Sequence, residues 1–488
     1  MKPIDERYDA IVIGAGISGE TCVHRLARGG MRVALVEAER IGGECAYWAS
    51  IPTTSLLGPA NARWRAEALA GMASPAIASP RSLTPSEILF SALDESAQVS
   101  AIEKEGGVFI RGKAQFVRPN QIEVHAVRGV QRLQAPHIVV ATGSVPAIPQ
   151  IPGMTDIGYW TNREATTAAA IPQQLAILGG ESQAIEIAQM FRLYGADVTL
   201  ITRRERLLVD EDPEIGALLA RRLERQGIRI VTGRHVIHVG RDADHPCVLA
   251  LDDETEVHTQ RLVVATKRRP RMHGLHLGKA GVRYRDSGIT INETCRAADG
   301  VWAIGAVTGV GRLSHMAQYQ ARIAADDILG QSHAAHYASV PRILYTDPQV
   351  AVTGQTMAYM TQAEAARVVW VAVALNEKKM YPTTVRQPES GRLTLYADTD
   401  RGTLVGAWAI ATEASEWIQL AMYAIRAEIP LNVLRDTLEQ FPPFGEIYLS
   451  AIDQLVEATA RRRHGGPAPQ ADERGRLGDK ASEALTAQ

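Results

Sequence analysis

Residues 8–37 read YDAIVIGAGISGETCVHRLARGGMRVALVE, and this stretch decides the fold. An apolar run (AIVI) ends in a glycine turn, a helix-period pattern follows from Ile17, and a second apolar run (VALVE) closes the unit. Gly14, Gly16 and Gly19 form G-x-G-x-x-G at the junction of strand and helix. The first glycine permits the tight turn, the second lets backbone approach a pyrophosphate, and the third lets helix and strand lie close together. The helix N-terminus then presents its partial positive charge to the phosphates. Glu37, at the end of the second strand, is placed to accept from a ribose hydroxyl.

The same pattern returns further along the chain. QLAILGGESQAIEIAQMFRLYG (174–195) and ADVTLITRRERLL (196–208) repeat strand, turn, helix and strand, with Gly179 and Gly180 at the turn. Between the two units lie another apolar strand, HIVVATGS (137–144), and the Pro-rich linker VPAIPQIPG (145–153). From about Pro341 the texture changes to short alternating strands and amphipathic helices, such as RLTLYADTD and EWIQLAMYAIRAEI. The fold class is therefore α/β, with two Rossmann-like dinucleotide-binding domains, the second inserted into the first, followed by a separate α+β domain. The expected divisions are 1–150, 151–272, 273–338 and 339–458, with a disordered polar tail over 459–488.

With 52 basic against 54 acidic side chains, no field of one sign draws in nucleic acid or an anionic membrane. The N-terminus has no signal-peptide pattern and no stretch has the apolar length of a membrane span. Cys22, Cys45, Cys247 and Cys295 are scattered, so a reducing cytoplasm is the expected location. The thirteen histidines form no helical i, i+4 pair with an acid, and His333 and His336 fall near a loop. No metal site is expected.

IGGECAYWASIPTTSLL (41–57), ATGS (141–144), GVWAIGAVTG (300–309), HMAQYQAR (315–322) and YTDPQVAVTG (345–354) follow the first unit in order. Through these motifs, from about Tyr8 to about Ile452, the chain resembles the class I pyridine nucleotide-disulfide oxidoreductases, relatives of dihydrolipoamide dehydrogenase, glutathione reductase and mercuric reductase. The resemblance implies a glutathione reductase-like fold, with FAD held by Gly14, Gly16, Gly19, Glu37, Gly43, Ala141, Thr142, Gly143, Gly305 and Ala306. It also implies an inserted NAD(P)-binding domain and a C-terminal dimerisation domain that makes a homodimer.

Five departures from the family pattern bear on function. The redox pair C-x-x-x-x-C is Cys45 followed by Ser50, and a hydroxyl can form neither a disulfide nor a thiolate contact with flavin. Cys45 then either oxidises on its own or is kept for packing. The lysine that pairs with a glutamate near the flavin is Thr54, while the glutamate survives as Glu186. Left without its cation, Glu186 is expected to have a raised pKa and could act as a base. In the second glycine turn, Glu181 stands where backbone must approach the pyrophosphate, opposed by Arg203 and Arg204, which suit a 2′-phosphate; the NAD(P)H site is thus in question. Ala306 replaces the aspartate that holds the flavin ribityl chain. In the partner-facing segment Phe441-Pro442-Pro443-Phe444-Gly445-Glu446, Phe441 replaces a histidine, leaving Glu446 without its imidazole.

The reductase relay is thereby dismantled on an intact scaffold. Tyr47, Trp48 and Ser50, with Phe441 and Phe444 from a neighbouring subunit, are expected to line a pocket for a small organic molecule. Three functions stay open: an FAD-dependent dehydrogenase or oxidase of such a molecule, an NAD(P)H-dependent flavin reductase, and a redox-neutral cyclase, isomerase or non-catalytic partner. Cys45, Glu186 and Glu446 are the catalytic candidates.

Overall fold

The computed structural model describes residues 5–68, 95–127, 129–375, 391–438 and 445–464, with backbone alone at 5, 63–68 and 445–446. Phe441 and Phe444 lie outside the described residues, and of Glu446 only its place at the start of the helix Gly445–Arg463 is described.

The opening strands Ala10–Ile13 and Val33–Glu37 lie side by side in parallel at the heart of a six-stranded sheet. Its order runs Arg296–Ala298, Val301–Ala303, His137–Val140, Ala10–Ile13, Val33–Glu37, Gly107–Arg111. The near-continuous apolar runs of its central strands match burial on both faces, as a parallel sheet under helices requires. The helix Ile17–Arg28 drives Cys22, Val23 and Leu26 into that core.

The second unit repeats the plan with four parallel strands in the order Arg229–Val231, Asp197–Ile201, Gln174–Leu178, Arg261–Val264. A three-stranded antiparallel sheet, Val236–Gly240, Cys247–Leu251 and Glu256–Thr259, accompanies it. The chain enters and leaves this unit through an antiparallel ribbon of Ser144–Ala147 against Lys267–Pro270, so both crossings are tied together.

The C-terminal part is a five-stranded antiparallel sheet covered by the helices Ala414–Arg426 and Gly445–Arg463. That last helix corrects the expected start of the tail. It runs on through Arg463 because Ala458 and Thr459 are buried against the domain and the Arg463 guanidinium donates to the Thr399 carbonyl. Among the described residues no helix is long and apolar enough to cross a membrane.

One contact sets the site. The helix Ser50–Ala68 buries Leu56 and Leu57 in the same core as Ile185 and Ile187 of the helix Ser182–Leu193. Burying two leucines is worth on the order of 3–6 kcal/mol. It brings the turn that carries Cys45 up to the second unit.

Candidate active site

A cleft of about 1370 Å³ runs between the two glycine turns and reaches the start of the C-terminal domain. At its first end the three glycines take distinct roles. Gly14 has φ +106°, and a Cβ there would meet the Ala141 carbonyl oxygen at 2.5 Å; one on Gly19 would meet the Gly14 oxygen at 1.8 Å. A Cβ on Gly16 would meet nothing within 4 Å, so this backbone faces open cleft at the N-terminus of the helix Ile17–Arg28. Glu37 lines the same space. Its two carboxylate oxygens accept from the Ala15 and Glu39 amides, each at 2.6 Å, which locks the turn while leaving each oxygen a further lone pair. Gly43, Ala141, Thr142, Gly143 and Ala306 also face the cleft, and Gly305 is fixed by its N–H donating to Gln320 Oε1 at 2.7 Å. An open glycine at a helix N-terminus with an acid at the strand end fits the pyrophosphate and ribose of FAD.

At the other end Gly179 has φ +145° and a Cβ there would stand 2.4 Å from the Ala265 oxygen, the counterpart of the Gly14–Ala141 approach. Glu181 caps the helix Ser182–Leu193 in extended backbone, as Gly16 caps its own helix. Its carboxylate accepts from the Val209 amide beside Arg204, and burial together with Asp210 pushes its pKa up. Arg203 and Arg204 are exposed side chains on the cleft wall.

Between these ends sit Cys45 and Ser50. Cys45 Sγ lies 3.0 Å from Ser314 Oγ, and Ser50 lines the cleft on the next helix. Thr54 spends its hydroxyl on the Ser50 carbonyl at 2.8 Å, within its own helix. Glu186 accepts from the Tyr345 amide at 2.8 Å, and among the described residues no cation pairs with it. Burial raises its carboxyl pKa to about 7, against the lowering effect of that one hydrogen bond. Burial also raises the Tyr345 phenol, and Glu186 and Cys45 are close enough to add to that shift. Three residues on, Gln189 exchanges hydrogen bonds with the backbone of Asp347, so one helix face is pinned to the segment 345–347.

Two expected pocket residues are placed elsewhere. Tyr47 is buried with the Arg40 guanidinium over its ring, and Trp48 lies under the Arg163 guanidinium at 4.0 Å; neither lines the cleft. Trp48 belongs instead to a clamp unforeseen in the sequence. Glu44 receives Arg163 Nε at 2.6 Å and Asn162 Nδ2 at 3.0 Å and pairs with Arg268 at 3.2 Å. These partners come from the start of the second unit and from its returning strand, so the Cys45 turn is held from both crossings. Tyr345, Ser314 and His315 were also missed as cleft residues, although YTDPQVAVTG begins at Tyr345 and HMAQYQAR begins at His315, next to Ser314. Asp242, His245 and His258, which the sequence reading did not group, converge away from the cleft.

Residues 8–321 match the family described as pyridine nucleotide-disulphide oxidoreductase, and residues 340–452 match its dimerisation domain. The chain is 29% identical to a mercuric reductase of Streptomyces lividans over 93% of its own length and 97% of the relative's. It is 28% identical to a dihydrolipoyl dehydrogenase of Rhizobium etli, covering 92% and 98%. In fold it resembles LpdA from Mycobacterium tuberculosis (22% identical, TM-score 0.81, covering 91% of this chain and 99% of that one). It likewise resembles the HOCl-induced flavoprotein disulfide reductase RclA from Escherichia coli (24% identical, TM-score 0.77, covering 91% and 99%). With these matches and its two glycine turns, the chain belongs to the pyridine nucleotide-disulphide oxidoreductase family of flavin-dependent oxidoreductases, with FAD as its cofactor.

Proposed function

We propose that this protein is an FAD-dependent dehydrogenase or oxidase of a small organic molecule and does not reduce disulfides. The observation that carries this reading is the neighbourhood of Cys45. Its Sγ meets the Ser314 hydroxyl at 3.0 Å, and the residue facing the cleft at the start of the following helix is Ser50. The other three cysteines are buried, so no second thiol is available at the cleft to store an electron pair as a disulfide.

The flavin, when bound, supplies a two-electron acceptor. The chain supplies proton handling. With its carboxyl pKa at about 7 and no cation beside it among the described residues, Glu186 can take up a proton from a substrate near neutrality and hold it out of water. Tyr345, kept protonated, is a hydrogen-bond donor on the same wall. A homodimer formed through the 340–452 domain goes with this reading and would bring the partner's 441–446 segment to the cleft.

An anaerobic reductive titration tests the proposal. The flavin should be fully reduced after uptake of two electrons, and the protein should not turn over lipoamide, glutathione disulfide or mercuric ion. Uptake of four electrons per flavin, or reductase turnover at ordinary rates, would defeat it. As a base, Glu186 should give a rate that rises with pH through about 7, a limb that Glu186→Gln should lack.

A second reading, an NAD(P)H-dependent flavin reductase, is favoured by Arg203 and Arg204, exposed on the cleft wall beside the second glycine turn. Against it stands Glu181, whose carboxylate accepts from the Val209 amide with the Arg204 charge nearby. Rapid mixing with NADPH separates the readings: flavin reduction supports the second, and none at millimolar cofactor removes it.

A further inference from the structure

Away from the cleft, the antiparallel sheet of the second unit gathers two histidines and an aspartate. Asp242 and His245 lie in the hairpin between the strands Val236–Gly240 and Cys247–Leu251, and His258 lies on Glu256–Thr259, in register with Val248. His245 Nδ1 and His258 Nδ1 stand 3.0 Å apart. Asp242 Oδ2 is 3.3 Å from the first and 3.4 Å from the second.

Hydrogen bonds do not satisfy this triangle well. Each Nδ1 carries at most one proton and the carboxylate only accepts, so two protons on the facing nitrogens would oppose one another and a single one must be shared between two acceptors. One cation would satisfy all three atoms. Tetrahedral bonds of about 2.0–2.2 Å to nitrogen and oxygen set neighbouring ligand atoms roughly 3.3–3.5 Å apart, close to the edges seen here.

The surroundings hold the donors in place. Asp242 Oδ1 accepts the backbone amides of Asp244 at 2.8 Å and His245 at 2.7 Å and lies 3.2 Å from His245 Nδ1, which fixes the carboxylate and leaves Oδ2, with no amide partner, beside both histidines. His258 Nε2 faces Glu256 Oε2 at 3.3 Å, so a proton on Nε2 leaves the Nδ1 lone pair for the centre of the triangle.

We propose that Asp242, His245 and His258 bind a divalent transition-metal ion of the zinc class, with a fourth position open to water. Two imidazole nitrogens and one carboxylate oxygen suit zinc, whereas magnesium and calcium take all-oxygen sets. None of the three residues lines the cleft. The ion staples the hairpin to the third strand, and its effect is on the stability of the second unit.

The test is calorimetric titration of zinc(II) into the full-length, chelator-stripped flavoprotein. It is done in a Cys45→Ser background, so that the one half-buried thiol does not compete. One zinc per chain is expected. Binding should vanish in His258→Ala with flavin content unchanged, and Glu256→Gln should keep the stoichiometry with affinity lowered about 10–100-fold. Absence of binding in the parent, zinc binding that survives His258→Ala, or equal affinity for magnesium(II) would overturn the proposal.

Discussion

The two nucleotide units keep one glycine in common and part over another. Gly14 and Gly179 both have positive φ, and both pass within van der Waals reach of the carbonyl of an alanine that follows a parallel strand, Ala141 and Ala265. A side chain at either would break the turn itself. Two residues later, Gly16 and Glu181 are both extended helix caps, with ψ of 178° and 175°. There the backbone permits any residue, and only a bound phosphate would forbid one. The comparison separates what a fold demands of a sequence from what a ligand demands. The second unit meets the first demand and has lost the residue that answers the second.

That separation can be broken most sharply at Gly16. Gly16→Glu writes the second unit's residue into the first, filling open cleft and setting a carboxylate against the pyrophosphate. Flavin affinity should fall by more than about 100-fold, or roughly 3 kcal/mol, read as absorbance per folded chain. In Gly179→Ala the new Cβ meets backbone at 2.4 Å, so the second unit should lose stability while the flavin stays. If both variants retain flavin equally, the first glycine turn is not a phosphate site.

A gain is expected at Ala306, which faces the cleft one residue after the fixed Gly305 amide. Ala306→Asp restores a charge-assisted acceptor for the flavin's ribityl hydroxyls, and such a bond is worth about 1.5–3 kcal/mol. The Kd for FAD in apoprotein reconstitution should drop about 10–100-fold, and an unchanged Kd would mean that the flavin takes another path past the residues 305–308.

The converse exchange is smaller. Glu181→Gly frees the helix cap of the second unit but also removes a carboxylate already held by the Val209 amide. NADPH should bind about tenfold more tightly, roughly 1.4 kcal/mol, measured by the saturation of flavin reduction. Should Arg203→Ala with Arg204→Ala leave that improved affinity untouched, the two arginines are solvated surface and not 2′-phosphate ligands.

How much was legible follows the same division. The glycine turns, Glu37 and the buried parallel strands could be read from residues 8–37 because each answers a local steric need. The place of Ser50 beside Cys45 at the cleft could be read from its fixed spacing along the chain. What escaped was long-range. Glu44, Arg163 and Arg268 are brought together only by the two crossings between units, and no local pattern links them. Tyr47 and Trp48 read as cleft aromatics from their nearness to Cys45, yet Arg40 and Arg163 stand over their rings, and it is these two arginines that line the cleft. The Asp242, His245 and His258 grouping was hidden for the same reason, because it depends on strand register and not on helical spacing.

The smallest expected effect concerns Glu186, which the second unit's helix keeps in the cleft with no cation beside it among the described residues. Its carboxyl pKa is about 7 in the folded protein and an ordinary 4.5 when unfolded. Between those values the unfolded chain gives up the proton that the folded one retains, so stability falls as pH rises and levels off above about 7. Glu186→Gln keeps the shape and the acceptor for the Tyr345 amide but has no proton to lose. The variant should match the parent below about pH 4.5 and become more stable as pH rises, by about 1–3 kcal/mol at pH 8 once partial solvent access is allowed for. Glu20, whose carboxyl is also raised to about 7 by burial, is present in both proteins and cancels in the difference. A constant gap in melting temperature across this range would mean that Glu186 is ionised throughout, with a cationic partner in the assembled enzyme, and the base assigned to it would have to be sought elsewhere on the cleft wall.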